Sequence, residues 1–270
     1  MYGIDGGRDL PEEVLDHLDG HHGSRPVRIG NGAARQLQLD VYGEILDCVH
    51  TCRRHGADDT VPLWLDFKAL VDWVCGHWRE PDSGIWEMRS EPRHHVLSKV
   101  MCWVALDRGI SAARGLELDA DLAAWEQARH EIREDVLREG FDPNINAFVQ
   151  AYGARRLDAA NLLLPVVGFI NARDPRMIAT VDRTRERLME NGLVYRYRDA
   201  DDGVGGPEGA FVACSFWLVD CLSLQGRPAE ARELFEAVLG RVNDLGLLPE
   251  QIDPATGEFL GNFPQALSHI

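Results

Sequence analysis

Two glutamates stand out by residue type and setting. Glu87 directly follows Trp86 in Pro81-Asp82-Ser83-Gly84-Ile85-Trp86-Glu87-Met88-Arg89, a Pro- and Gly-bearing segment between two helical patterns. Loss of water beside an apolar ring favours an uncharged carboxyl, the form that serves as general acid. Glu250, in Leu248-Pro249-Glu250-Gln251-Ile252, lies in a second interhelical segment far along the chain. A carboxyl that gives a proton and a carboxylate that activates water form the pair used in glycoside hydrolysis. The chain holds 44 acidic residues, so residue type alone does not select this pair. The elements that position it must do so.

Those elements read as helices. Apolar residues recur at three- and four-residue spacing almost throughout. The spacing predicts helices over about 33–55, 61–78, 95–109, 119–138, 157–170, 175–191, 210–225, 228–243 and from 263 onward. Gly140, Gly192 and Gly226 fit stops, and Pro62, Pro175 and Pro228 fit first turns. No period-two run is long enough for a large sheet. Long connections near 20–32, 79–94, 139–156, 192–209 and 244–262 alternate with short ones. Antiparallel helices then gather the long loops at one end, where binding and catalysis concentrate. Glu87 and Glu250 both fall on long loops. The helix pairs share no repeated word, which favours a closed all-α toroid over a solenoid.

Composition narrows the function. A chain of 270 residues is enough for one large domain. A net charge of −16 opposes nucleic-acid and anionic-membrane binding. No apolar run approaches the roughly 20 residues of a membrane span, and the first residues carry no signal-peptide pattern. The six cysteines read as free thiols, with Cys48, Cys75, Cys102, Cys214 and Cys221 inside apolar patterns. A reducing, cytoplasmic setting is the expectation. Cys48 and Cys52 alone supply too few metal ligands. Neighbouring histidines at 21–22 and 94–95 point apart on an extended chain, so no metal is expected. Gly203-Val204-Gly205-Gly206 lacks a P-loop lysine. Trp64, Trp73, Trp78 and Trp103 recur at helical spacing and read as core.

Several words along the chain carry a family resemblance. They are Tyr2-Gly3-Ile4-Asp5-Gly6, residues 23–31, Gln36-Leu37-Gln38-Leu39-Asp40-Val41-Tyr42-Gly43, Gly84-Ile85-Trp86-Glu87, residues 98–108, Cys214-Ser215-Phe216-Trp217-Leu218-Val219 and Leu260-Gly261-Asn262-Phe263-Pro264-Gln265-Ala266. The chain resembles the glucoamylase-type glycoside hydrolases, family 15, in the bacterial branch that also holds a trehalase. The resemblance implies an (α/α)6 barrel and single-displacement hydrolysis releasing β-D-glucose; no residue cluster in the sequence argues for a cofactor in that chemistry. It makes Glu87 the general acid and Glu250 the general base, with carboxyls roughly 6.5–9.5 Å apart to admit a water. Trp86 would line the sugar site. Arg196 resembles a sugar-binding arginine of fungal relatives, and Phe263 stands where they place an aromatic. Glu208, Arg25 and Arg28 are further substrate-binding candidates. α-Glucan or maltooligosaccharide is the first substrate expected. Trehalose is the alternative, carried by Arg79-Glu80-Pro81-Asp82 and residues 98–108.

The chain also departs from that family's pattern. About nine of twelve barrel helices are visible, the last one partial, so residues 1–270 read as one incomplete catalytic domain. The amino-terminal β-sandwich, the first helices and the Trp-Leu-Arg-Asp sugar clamp have no counterpart. An isolated chain that is unstable or inactive is expected, unless another chain supplies the missing helices. So is association through exposed apolar helix faces. A remnant that only binds carbohydrate or a protein partner is the non-enzymatic alternative.

Overall fold

The computed structural model describes residues 3–56, 60–198 and 208–269. Tyr2, the glycine word at 203–206 and Ile270 lie outside the described residues. Among those described are eight α-helices: α1 (Asp40–Arg54), α2 (Trp64–His77), α3 (Val96–Gly115), α4 (Leu122–Glu139), α5 (Leu163–Val166), α6 (Pro175–Leu188), α7 (Val212–Leu224) and α8 (Pro228–Leu239). Short strands β1 (Glu13–Val14), β2 (Arg28–Ile29), β3 (Phe141–Asp142), β4 (Ala147–Phe148), β5 (Met189–Glu190) and β6 (Leu193–Val194) pair as three antiparallel hairpins. Strands β7 (Ala210–Phe211), β8 (Gln251–Ile252) and β9 (Phe259–Leu260) form one antiparallel sheet with β8 in the middle.

The architecture is mostly helical, as the periodicity predicts, and α3 is its axis. Fourteen of the 20 residues of α3 are buried, so it is apolar all round rather than on one stripe. Helices α1, α2 and α4 pack against it, while α7 packs on α8 and on the 159–166 segment. Gly43 sets the spacing of α1 from α3. A Cβ at Gly43 would stand 2.2 Å from the Met101 carbonyl oxygen and 2.7 Å from its carbon. Helix ends follow local chemistry. Asp121 caps α4 by accepting from Ala124 N–H at 3.1 Å. Asp174 caps α6, and proline occupies the first turn of both α6 and α8.

Two buried polar side chains tie the loops to this core. Asp82 is fully buried. Its Oδ2 accepts from Leu39 N at 3.0 Å, Gly84 N at 3.2 Å and Ser98 Oγ at 2.8 Å. Lys99, 1% exposed, donates from Nζ to the carbonyls of Trp78 and Glu80 just past α2. Burial lowers its pKa, while the two carbonyls take two of its three N–H groups.

Three predicted helices differ in the structure. The 33–39 stretch is a loop, because Leu39 N–H goes to Asp82 and α1 starts only at Asp40. The 157–170 stretch breaks into a 3-10 turn, Ala159–Leu162, and the four-residue α5. Pro165 lies inside it, and Gly168 at φ 79° ends it. From 263 onward the chain makes one 3-10 turn, Ala266–Ser268, after Gln265 N–H bonds the Leu248 carbonyl. All six cysteines are free. Cys102, Cys214 and Cys221 are buried; Cys48 is exposed and Cys75 half-buried, because they lie on outward sides of α1 and α2. Trp64 and Trp78 are core residues, with Trp73 and Trp103 packed against the core. Among the described residues, no helix is long and apolar enough to cross a membrane.

Gly43→Ala tests the α1–α3 contact. In a free helix this change stabilises by up to about 1 kcal/mol. Here the new methyl meets backbone that cannot swing aside, and overpacking costs about 1–3 kcal/mol. A lower urea midpoint is expected. An unchanged or raised midpoint would show that the helices are further apart than described.

Candidate active site

Glu87 sits on a turn that is held from several sides. Backbone bonds join Asp82 and Arg93 in both directions at 2.9 Å, closing the loop at its base. Inside it, Met88 N–H bonds the Ser83 carbonyl at 3.0 Å, and Glu87 N–H bonds the Gly84 carbonyl at 3.2 Å. Gln36 Nε2 reaches across from the preceding loop to the Met88 carbonyl at 2.9 Å and the Glu87 carbonyl at 3.4 Å. Glu87 itself is left-handed, at φ 52°. A non-glycine residue keeps that conformation only where its surroundings over-determine it, a state common at functional sites. His95 is buried under the same turn, its ring 3.0 Å from where a Cβ on Gly84 would stand. Burial lowers the His95 pKa, with the Asp82 and Asp158 charges opposing that effect.

Glu250 is mounted on the sheet. Its N–H bonds the Asn262 carbonyl at 2.9 Å, and its carbonyl accepts from Val212 N–H at 3.0 Å. It therefore links the end of β7 and the start of α7 to the strand pair β8–β9. The side-chain Oε2 accepts from Asn262 N at 2.9 Å and Asn262 Nδ2 at 2.8 Å. Gly261 makes room for it, since a Cβ there would stand 2.8 Å from that oxygen.

Both glutamates line one cleft of about 590 Å³, a size suited to a small molecule. Trp86 and Arg196 share its wall. Trp86 Nε1 donates to Asp158 Oδ1 at 2.9 Å and Oδ2 at 3.1 Å. Asp158 also accepts from Gln150 Nε2 and Ala160 N. Burial raises the Asp158 pKa, with the Trp86 hydrogen bond opposing it. Phe211 and Trp217 pack on the Trp86 ring at centroid distances of 5.3 and 6.0 Å. The Arg196 guanidinium lies 5.3 Å from that ring centroid, and its Nε bonds Glu208 Oε1 at 2.7 Å. Desolvation works most strongly against the Arg196 charge, but the Glu208 hydrogen bond and the surrounding charges together outweigh it and the pKa is raised.

The other sequence-derived candidates lie elsewhere. Arg25 pairs with Asp19, and Arg28 approaches Glu12 at 3.3 Å; neither lines the cleft. Phe263 packs on Phe259 at 5.4 Å and is half exposed. Glu208 reaches the cleft only through Arg196. His21 and His22 do not point apart. A φ of 53° at His22 brings the rings within 4.0 Å, and Glu258 Oε1 lies 2.9 Å from His22 Nδ1. Among the described residues this is the one group of metal-ligand type, fully exposed and outside the cleft.

Sequence reasoning missed Asp40, Glu44, Phe211, Trp217 and Gln265 in the cleft wall. A signal was present, because Asp40 and Glu44 are spaced i, i+4 and so share one face of α1. Asp40 is 6% exposed. Burial first, then the charges of Glu44, Asp82 and Glu87, push its carboxyl up to about 7. Glu44 stands more open to solvent, and desolvation followed by the Asp47 charge raises its pKa too.

Solved structures share this fold. A glycosidase in complex with glucose superposes with a TM-score of 0.73 at 23% identity, over 87% of this chain and 63% of that one. The glucoamylase from Saccharomycopsis fibuligera gives 0.69 at 12% identity, over 86% and 68%. The fold is thus that of the (α/α)6 glucoamylase-type glycosidases. A family profile, glycosyl hydrolases family 15, matches residues 1–270. A trehalase from Thermoplasma volcanium is 45% identical over 271 residues, covering all of this chain and 43% of the relative. One from Mycolicibacterium smegmatis is 46% identical over 272 residues, covering all of this chain and 41% of the relative. The chain belongs to glycosyl hydrolases family 15, and it spans less than half the length of these curated relatives.

The raised Asp40 pKa makes stability depend on pH. The folded chain keeps this proton where the unfolded chain has released it. Asp40 therefore subtracts stability as pH rises from the ordinary carboxylate range to about 7. Asp40→Asn removes that loss. Its gain in Tm over the parent chain should grow between pH 4 and 7 and then level off, as thermal melts across that range will read. A gain that does not vary with pH would show that Asp40 does not titrate there.

Proposed function

We propose that the chain carries the acid–base pair of an inverting α-glucoside hydrolase and that its substrate is trehalose, with α-linked glucose oligosaccharides second. The observation that carries this reading is one cleft shared by Glu87 and Glu250 in a chain 45% identical to a trehalase along its whole length. Sequence words alone favoured glucan over trehalose. The trehalase relatives support the reverse order.

Glu87 gives its proton to the glycosidic oxygen as the bond breaks. Glu250 takes a proton from a water on the opposite face of the sugar, so the anomeric centre inverts and β-glucose leaves. Both hydrogen bonds from Asn262 reach Oε2 of Glu250, which orients the carboxylate for that proton transfer. The Trp86 ring, fixed by Asp158, offers an apolar face with a polar edge to the sugar. The carboxyl separation expected of an inverting pair is roughly 6.5–9.5 Å. A second reading, a chain that binds sugar without turnover, rests on the same cleft, whose lining can hold a sugar whether or not it is hydrolysed.

Glucose release from trehalose and maltoheptaose separates these readings. Trehalose should be the better substrate, giving α- and β-glucose in equal amounts at first in proton NMR, because the leaving glucose keeps its α configuration while the attacked one inverts. Glu87→Gln and Glu250→Gln should each lower the rate by about 10²–10⁴-fold, the usual worth of general acid–base catalysis. Unchanged rates in both variants, or α-glucose alone as the initial product, would overturn the assignment. Sugar binding with no release from the parent chain would leave the binding reading in its place.

A further inference from the structure

Asp40 holds a place in the cleft wall that the acid–base step does not use. It opens α1 directly after Leu39, whose N–H is fixed by Asp82. The residue is 6% exposed, and Oδ1 has no hydrogen-bond partner among the described residues. Its neighbours Glu44, Asp82 and Glu87 are all carboxyl groups. A carboxyl placed there for structure alone is a poor choice, since burial without a partner is unfavourable and like charges add to that. Asp158 shows the structural alternative, for both of its oxygens accept hydrogen bonds. Asp82 also has an unpartnered Oδ1, but its other oxygen takes three bonds and it does not line the cleft. Asp40 does line it, together with Glu87 and Arg196.

What would complete Asp40 is a ligand hydroxyl. We propose that Asp40 is a sugar-binding residue whose carboxyl takes a hydroxyl of the leaving glucose unit, the one on the general acid's side of the scissile bond. The inference rests on the glycoside-hydrolase reading above. The side follows from the anchor that Asp40 shares with the general acid, since Asp82 Oδ2 binds both Leu39 N, next to Asp40, and Gly84 N in the turn that carries Glu87. A pKa of about 7 leaves both forms of the carboxyl present near neutrality. The protonated form donates, the charged form accepts, and a hydroxyl can answer either.

Binding in the Glu87→Gln chain tests this without turnover, by calorimetry with trehalose and with p-nitrophenyl α-glucoside. The second ligand has the same glucose unit but no hydroxyls on its leaving group. Adding Asp40→Ala should weaken trehalose binding about tenfold or more, the usual scale for a hydrogen bond to a charged group. It should leave the nitrophenyl glucoside unchanged. Adding Asp40→Asn, which keeps the side-chain shape, should give an intermediate loss and guards against misfolding of the alanine variant. Equal losses for the two ligands, or none for either, would overturn the role of Asp40 while leaving the hydrolase reading in place. No binding of trehalose or maltose to the Glu87→Gln chain itself would overturn the sugar reading, and the role of Asp40 with it.

Discussion

The buried carboxylate of Asp82 is the point on which the site is hung. One oxygen receives three donors from three parts of the chain: the segment entering α1, the turn that carries Glu87, and the first turn of α3. In a low-dielectric interior such charge-assisted bonds are strong, and losing their acceptor would leave three buried donors without a partner. The same anchor fixes where α1 begins, so it also sets the position of Asp40 and Glu44 in the cleft wall. Lys99, one residue after Ser98, holds the carbonyls leaving α2 from the other side.

The two glutamates reach the cleft by different means. Glu87 depends on a turn held in a left-handed conformation by Gln36 and by the Asp82–Arg93 pairing. Glu250 depends on strand pairing, with Asn262 fixing both its backbone and its carboxylate. Between them, among the described residues, the cleft holds carboxyl groups and one guanidinium, Arg196, which is paired with Glu208. A wall of this kind suits a neutral, hydroxyl-rich ligand better than an anion.

Much of this was legible in the sequence, for reasons that differ from place to place. Helices α2, α3, α4, α6, α7 and α8 follow from three- and four-residue periodicity, since each buries a face against the same core. Loop alternation put Glu87 and Glu250 on one face, and the cleft holds both. Trp86 and Arg196 were read as cleft residues and line it. Arg25 and Arg28 were legible as charges but not as surface pairs; Arg25 meets Asp19 within the same β1–β2 connection, and Arg28 on β2 meets Glu12 beside β1. The late start of α1, at Asp40 and not at 33, was invisible, for it depends on a bond from Leu39 to Asp82, 43 residues away. Asp40 and Glu44 were visible as an i, i+4 pair and gained meaning only once the face of α1 that meets the cleft was known. The His21–His22 pair shows the limit of arguing from extended geometry, since a single positive φ reverses where a ring points.

The burial of Lys99 has a consequence for handling the molecule. The chain contains two lysines, Lys68 and Lys99, against a large excess of arginines. Lys99 is sealed beneath the end of α2, whereas Lys68 lies on the outer side of that helix beside Asp72. Among the side chains, amine-directed reagents therefore meet one address on the folded protein. Coupling a dye or a solid support through lysine would hold every molecule by the same helix and in the same orientation.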